Sequence, residues 1–185
     1  MKNLLIILVF LSCSKPSFRE EIIFEQGHHE PTTRHNFSKL DYVFVFTNSC
    51  LYQSRNFENQ IDVNKLFGVG YCNLVGCHHV NSARWGWFWG GGDYIHLCTY
   101  TYASQNRFIH VIDSVLVGQQ VRLTISDEQY SSYNYGIQKK GQMMRYYYEP
   151  KLHDIKIKTK LNPYFGGDEP APQKIIIERF LTFEP

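Results

Sequence analysis

The chain has 185 residues, a formal net charge of +2 and 43% hydrophobic residues. This composition is typical of a folded globular protein and excludes a disordered or collagen-like chain. A protein that neutralises several phosphates is expected to carry clustered Lys and Arg, and the only short basic cluster is 156–160. Alternation along a strand explains that cluster better, so we predict no nucleic-acid partner.

The N-terminus has the layout of a cleaved export signal. Residues 1–3 include one lysine, residues 4–11 are apolar and uncharged, and Ser12 and Cys13 follow. The apolar run is far shorter than the ~20 residues that a membrane-spanning helix needs. A small residue directly before a cysteine resembles the lipobox of bacterial lipoproteins, which implies acylation of Cys13. Phe10 stands where that motif usually has leucine, a variation that lipoproteins of Bacteroidetes-type bacteria tolerate.

We therefore expect an exported lipoprotein whose membrane contact is a lipid anchor, at the outer membrane of the cell envelope. The alternative is ordinary cleavage nearby, which would give a secreted or periplasmic protein. Removal of residues 1–12 changes the charge from 19 − 17 = +2 to 18 − 17 = +1 and leaves 185 − 12 = 173 residues, enough for one domain with its own core. The predicted organisation is a signal peptide at 1–12, a tether at 13–36 and a β-sandwich domain at 37–185.

Short runs of β-branched and aromatic residues, separated by turn residues, follow from position 41 onward. Alternation is clearest in residues 94–102, where odd-numbered residues would face one way and even-numbered residues the other. About nine strands without room for helical crossovers favour an all-β fold, an antiparallel β-sandwich of jelly-roll or lectin-like type. The predicted strands are Tyr42–Thr47, Arg84–Trp89, Tyr94–Tyr102, Arg107–Val115, Val121–Ser126, Tyr130–Gly136, Gln142–Tyr148, Leu152–Lys160 and Lys174–Thr182, with an edge strand at Ile22–Phe24 and a short helix at Asp62–Phe67.

Three segments carry a resemblance to known proteins. Residues Asp62–Gly68, His78–Trp89 and Asn162–Pro172 resemble a family of bacterial secreted β-sandwich proteins. The resemblance covers roughly residues 42–183 and implies the fold. That family has no assigned activity, so the resemblance carries over no catalytic residue.

Glycan binding is the leading functional hypothesis. Aromatic rings form flat apolar platforms for sugar rings, and polar side chains around them bind hydroxyl groups. Trp85, Trp87 and Trp89 would share one strand face, as a platform or as a wall of the core, and the wall is the commoner arrangement. The polar residues near them fit a binding rim and a buried polar network equally well. The predicted ligand-binding residues are Asp62, Asn64, Lys65, His79, Asn81, Arg84, Trp85, Trp87 and Asp93.

No metal or other cofactor is predicted. The possible zinc ligands are Cys72, Cys77, His78 and His79, with His28–Glu30 in the tether, but no C-x-x-C or H-x-x-x-H spacing occurs. The possible calcium ligands are Asp62, Asp93 and Asp168, but no D-x-D-x-D-G loop is present. The four cysteines of the mature chain are Cys50, Cys72, Cys77 and Cys98, which would be disulfides or buried thiols.

Catalysis is less well supported by the sequence. Glycoside hydrolysis needs two carboxylates that flank the scissile bond, and the acidic residues form no E-x-D-x-x-E strand motif. No G-x-S-x-G nucleophile turn occurs either, so no catalytic residue is predicted. We expect a surface-anchored lipoprotein that binds an extracellular glycan. The alternatives are a structural or protein-docking lipoprotein without a small ligand, and a glycoside-active enzyme.

Overall fold

The computed structural model describes residues 19–24, 33–34, 39–71, 77–127, 132–152, 158–166 and 169–181. Within these ranges the secondary structure is almost entirely β. The strands are β1 (Arg19–Phe24), β2 (Thr33–Arg34), β3 (Lys39–Phe46), β4 (Asn64–Tyr71), β5 (Asn81–Trp89), β6 (Tyr94–Ala103), β7 (Asn106–Leu116), β8 (Gln120–Ser126), β9 (Ser132–Lys139), β10 (Arg145–Pro150), β11 (Lys158–Leu161) and β12 (Ile175–Leu181). Short 3-10 helices occupy Asn48–Cys50, Phe57–Asn59 and Cys77–His79.

The strands form two six-stranded antiparallel sheets that pack face to face. The first sheet has the order β1-β12-β3-β8-β9-β10, and the second has the order β2-β11-β4-β5-β6-β7. This arrangement confirms the predicted all-β antiparallel sandwich. No helix in the described ranges has the length and hydropathy needed to cross a membrane.

The core between the sheets is built largely from aromatic rings, because alternate residues of each strand point inward. Trp85 and Trp87 are 0% exposed. The Trp87 ring lies 5.6 Å from the Phe46 ring and 5.9 Å from the Tyr52 ring, measured between centroids. The tryptophan row is therefore a wall of the core. The prediction that Trp85 and Trp87 bind ligand is wrong, since no ligand can reach rings that the two sheets enclose.

Buried hydrogen bonds connect the two sheets through this core. Trp85 Nε1 donates to the backbone oxygen of Thr124 at 2.9 Å, and the Tyr133 hydroxyl donates to Asn81 Oδ1 at 2.6 Å. Asn81 is fully buried, so its amide belongs to the buried polar network and not to a binding rim. Such bonds fix the position of one sheet over the other, because a buried polar group without a partner costs free energy.

Strand β4 stands where the sequence predicted a short helix at Asp62–Phe67. Leu66 and Phe67 are both buried at an irregularity in the pairing with β5, which disturbs the alternation there. Gly68 and Gly70 then occupy the outward positions. A Cβ added at Gly68 would lie 2.2 Å from the backbone oxygen of Ala83, so the close approach of β5 requires glycine.

Residues 19–24 form β1 at the edge of the first sheet, where they pair with β12. The edge strand predicted at Ile22–Phe24 is confirmed, and Ile22 and Phe24 belong to the core. The signal peptide and Cys13 lie outside the described residues. Export, cleavage and lipidation therefore stay predictions.

Cys50 and Cys98 are buried free thiols. Burial raises the pKa of both to about 12, so they stay protonated and pack as small apolar groups. The disulfide alternative is wrong for these two residues, while Cys72 and the side chain of Cys77 lie outside the described part. In that part, no group of three or more His, Cys, Asp and Glu side chains is placed to hold a metal ion.

Candidate functional site

The outer face of the second sheet carries positive charge beside tyrosine rings. In the antiparallel pairing, Arg84 lies opposite Gly68 and Tyr100, and Tyr102 lies opposite Arg107. Residues directly opposite each other share a face, and the neighbours of these residues in sequence point into the core. We call this surface the cationic face. It comprises Lys65, Arg84, Tyr100, Tyr102, Arg107 and Tyr164.

Arg84 lies at the centre of the cationic face and is only 9% exposed. Gly68 makes room for it, since a Cβ at Gly68 would lie 2.5 Å from Arg84 Cγ. Burial lowers the pKa of Arg84 to about 10, and the largest effects that oppose this come from tyrosines. None of the ion pairs among the described residues includes Arg84. Its positive charge therefore lacks a carboxylate partner within that part of the protein.

The Lys65 ammonium lies between two tyrosine rings. Its Nζ is 4.5 Å from the Tyr100 ring centroid and 5.6 Å from the Tyr164 ring centroid, and it donates to the backbone oxygen of Val63 at 2.6 Å. Burial first, and then the charge of Arg84, lower the pKa of Lys65 to about 8. A substantial fraction of Lys65 is therefore a neutral amine at mildly alkaline pH.

The loop that carries Tyr164 is fixed to β4. The backbone N of Lys65 donates to Tyr164 O at 2.8 Å, and the backbone N of Tyr164 donates to Lys65 O at 2.9 Å. Asn64 adds two bonds from the inner side, as its Nδ2 donates to the Tyr52 hydroxyl and its Oδ1 accepts from the backbone N of Gly166. Asn64 thus positions the loop from within the core.

Tyr100, Tyr102 and Arg107 form a hydrogen-bonded group at the side of the cationic face. Tyr100 interacts with both of the other side chains, and the Tyr100 and Tyr102 ring centroids are 5.7 Å apart. Burial is the main cause that raises the pKa of Tyr100 to about 12. The Tyr100 hydroxyl therefore stays protonated at neutral pH and is a potential proton donor. Its hydrogen bond with Arg107 raises the pKa of that exposed guanidinium.

Two histidines lie at the rim of the cationic face. Burial, with the nearby charge of Arg84 as the second cause, lowers the pKa of His78 to about 4, so this imidazole is neutral at physiological pH. The His79 ring is exposed and meets the Tyr102 ring edge to face at a centroid distance of 5.1 Å. The rim thus adds aromatic surface without adding negative charge.

The structure brings only some of the predicted ligand-binding residues together. Lys65 and Arg84 lie on the cationic face, His79 lies at its rim, and Asp62 is near enough to Lys65 to oppose the lowering of its pKa. Asp93 is exposed in the turn between β5 and β6, at the other end of the sheet. The prediction is wrong for the residues that point inward, because the core encloses their side chains. These are Asn64, Asn81, Trp85 and Trp87.

Four residues of the cationic face were missed by the sequence analysis. They are Tyr100, Tyr102, Arg107 and Tyr164. Alternation in residues 94–102 already placed Tyr100 and Tyr102 on one face, which was the available signal. Their proximity to Lys65 and Arg84 depends on the order of strands in the sheet.

No protein-family model matches the chain, and no curated protein matches it in sequence. Two solved structures of alginate lyase Aly36B are similar to it at 14% identity. The first has a TM-score of 0.54 and covers 86% of this chain and 77% of that one. The second, a doubly substituted variant in complex with alginate trisaccharide, has a TM-score of 0.53 with 86% and 78% coverage. At this identity the likeness shows the fold alone.

A functionally unknown protein from Saccharomyces cerevisiae is also similar in structure. Its TM-score is 0.46 at 9% identity, with coverage of 89% of this chain and 69% of that one. This likeness is too weak to bear on function.

Proposed function

We propose that the protein binds an acidic polysaccharide on the cationic face and cleaves it by β-elimination. The observation that carries the proposal is Arg84, a guanidinium beside Lys65 that is only 9% exposed and has no carboxylate partner among the described residues. A buried charge without a counter-charge costs free energy, so its presence calls for an anion from outside. A uronate carboxylate supplies that anion, and the planar guanidinium can bind it through two parallel hydrogen bonds.

The tyrosine rings of the cationic face favour a sugar polymer over a small anion as the ligand. The partly exposed rings of Tyr102 and Tyr164 offer apolar faces and hydroxyl groups beside the two cations, while the Tyr100 ring is 8% exposed and packs against Lys65 Nζ. Sugar rings pack against such rings, while their hydroxyls form hydrogen bonds. Alginate, the ligand in one of the similar structures, is a polymer of uronates and belongs to the proposed substrate class.

Elimination needs three groups that the cationic face contains. A cation must neutralise the uronate carboxylate, a base must remove the proton from the carbon beside it, and an acid must protonate the leaving oxygen. The electrons of the broken C–H bond form a C=C bond, and the adjacent C–O bond to the next sugar breaks. In this proposal Arg84 neutralises the uronate carboxylate, the neutral amine of Lys65 is the base, and the Tyr100 hydroxyl is the acid.

The proposed elimination differs in mechanism from glycoside hydrolysis, the enzymatic alternative that the sequence left open. Hydrolysis by paired acids needs two carboxylates on either side of the scissile bond. None of the six residues that define the cationic face is acidic. The catalytic residues proposed here are therefore a lysine and a tyrosine in place of two acids.

The direct test is incubation of the purified mature protein with polyuronates, including alginate, while the ultraviolet absorbance of the unsaturated product is followed. We expect absorbance to rise with the wild type and not with Arg84→Met. The control is Arg122→Met, because Arg122 lies on the first sheet and is paired with Asp41 at 2.6 Å. Binding without a rise in absorbance would leave a glycan-binding protein. Neither binding nor cleavage would favour a structural or protein-docking role.

Export and lipid attachment at Cys13 complete the proposal. A polysaccharide outside the cell is accessible to an enzyme that is anchored to the cell envelope. The anchor would keep the products close to the cell that made the enzyme.

A further inference from the structure

The outer face of the second sheet continues past the cationic face toward the turn between β5 and β6. Phe88 and His96 lie opposite each other there, with their rings stacked at a centroid distance of 4.9 Å and an interplanar angle of 23°. Tyr94, which is 50% exposed, lies opposite Leu116, which is 43% exposed. We call this second surface the aromatic end. It comprises Phe88, Tyr94, His96 and Leu116.

The aromatic end shares its face with Tyr100, the proposed catalytic acid, because Tyr94, His96 and Tyr100 are all even-numbered residues of β6. Three residues lie between His96 and Tyr100, so their Cα atoms are about 13 Å apart along the strand. Between them, Cys98 is buried, and Val63 occupies the space above Gly86, where a Cβ would lie 2.4 Å from Val63 Cγ1. The partly exposed side chain of Val63 therefore lies on the outer face between the two surfaces, and a polymer that spans both would pass over it.

The turn beside the aromatic end is fixed by a hydrogen bond and packs against the His96 ring. Trp89 Nε1 donates to the backbone oxygen of Gly92 at 2.7 Å, and Gly91 and Gly92 have φ of 114° and 67°. A Cβ at Gly90 would lie 3.3 Å from the His96 ring, so the turn passes directly along that ring. A ring that is already held between neighbours, as His96 is between Phe88 and the turn, loses little freedom when a ligand packs on it, which favours binding.

We infer that the aromatic end is a second subsite for the same acidic polysaccharide. The polysaccharide would then lie along β5 and β6, so long chains would bind more tightly than short ones. This inference rests on the proposed function. Exposed apolar surface next to a binding site commonly marks a ligand contact. Its occupant is the part of the polymer remote from the scissile bond, because the aromatic end continues the cationic face and lacks that face's cations.

The test is calorimetric titration of the mature protein with alginate oligosaccharides of graded length, at about pH 6, where Lys65 stays protonated and the proposed cleavage is suppressed, for the wild type, Tyr94→Ala and Phe88→Ala. We expect both variants to bind the longest oligosaccharides about three- to tenfold more weakly and the shortest ones with unchanged affinity. Tyr146→Ala is the matched control, because Tyr146 is 53% exposed on β10 of the first sheet. If Phe88→Ala folds poorly because Phe88 is more buried, the result for Tyr94→Ala, a substitution at a half-exposed residue, decides the test.

Two negative results are distinguishable. If the wild type binds long oligosaccharides and Tyr94→Ala binds them equally well, the subsite is overturned and the proposed function stands. If the wild type binds no oligosaccharide of any length, the proposed function is overturned together with the subsite.

Discussion

Arg84 is a residue at which binding and stability are expected to oppose each other. Its side chain is enclosed by Gly68 and the tyrosines without a carboxylate partner in the described part of the chain. In Arg84→Met the apolar stem remains and the buried charge is removed. We expect the free energy of unfolding in urea to stay the same or rise, while affinity for a polyuronate falls at least about tenfold. Lower stability with unchanged affinity would instead assign Arg84 a structural role.

Lys65 is predicted to set the pH dependence of cleavage. Its pKa is lowered from 10.5 to about 8, so kcat/KM should rise as pH increases through about 8 and the free amine forms. Lys65→Arg should still bind a polyuronate but should not cleave it, because a guanidinium stays protonated. Retained cleavage by Lys65→Arg, or a rate independent of pH between 7 and 9, would contradict the assignment of the base.

The same lowered pKa has a consequence for stability. Between pH 8 and 10.5 the unfolded chain carries a proton on Lys65 that the folded protein has lost. The free energy of unfolding therefore rises with pH across this window, and the destabilisation is fully present below it. In Lys65→Met this contribution to the pH dependence disappears, which denaturation at several pH values measures.

At the level of elements, the buried bonds between the sheets are expected to contribute strongly to stability. Tyr133→Phe removes the hydroxyl that donates to Asn81 Oδ1 at 2.6 Å and leaves a buried oxygen without that donor. We expect a loss of about 1–3 kcal/mol in the free energy of unfolding. Tyr146→Phe, on the exposed outer face of the first sheet, should change it little. Equal effects of the two substitutions would contradict the role of the buried bond.

The strands could be predicted from sequence where alternation was regular. The odd and even positions of residues 94–102 face opposite ways, as predicted: the odd positions lie in the core, and the even positions lie on the outer face, where Cys98 and Tyr100 are also buried. Strand β4 was missed because two consecutive apolar residues and two glycines conceal its alternation. The tryptophan row could not be assigned from β5 alone, since a strand pattern gives the shared face but not the side on which the second sheet packs.

The cationic face was predictable only in part for a similar reason. Lys65 and Arg84 were recognised as polar residues among apolar ones, and this pattern also included Asn64 and Asn81, which are buried. The features that distinguish Lys65 and Arg84 from the buried Asn64 and Asn81 depend on residues that are distant in sequence. Arg84 lies opposite Tyr100 through the pairing of β5 with β6, and Tyr164 contacts Lys65 from a loop 164 − 65 = 99 residues further along the chain.

For the whole molecule, attachment to the membrane is predicted to depend on Cys13. Residues 14–18 separate it from β1 and span at most about 18 Å when extended, so an anchored domain would lie close to the membrane. Cys13→Ala removes the acylated side chain. We expect the protein to move from the membrane fraction to the soluble fraction, measured by fractionation of expressing cells. A variant that stays in the membrane fraction would contradict lipidation at this residue.

The central claim is that the cationic face recognises the carboxylates of a polysaccharide. Calorimetric titration with alginate and with the same polymer after chemical reduction of its carboxyl groups tests it most directly, at about pH 6, where Lys65 stays protonated and the proposed cleavage is suppressed. The sugar backbone is then constant and only the charge differs. We predict binding to alginate that weakens with added salt, and no measurable binding to the reduced polymer. Equal affinity for the two polymers would contradict the claim, because Arg84 and Lys65 would then have no carboxylate to bind.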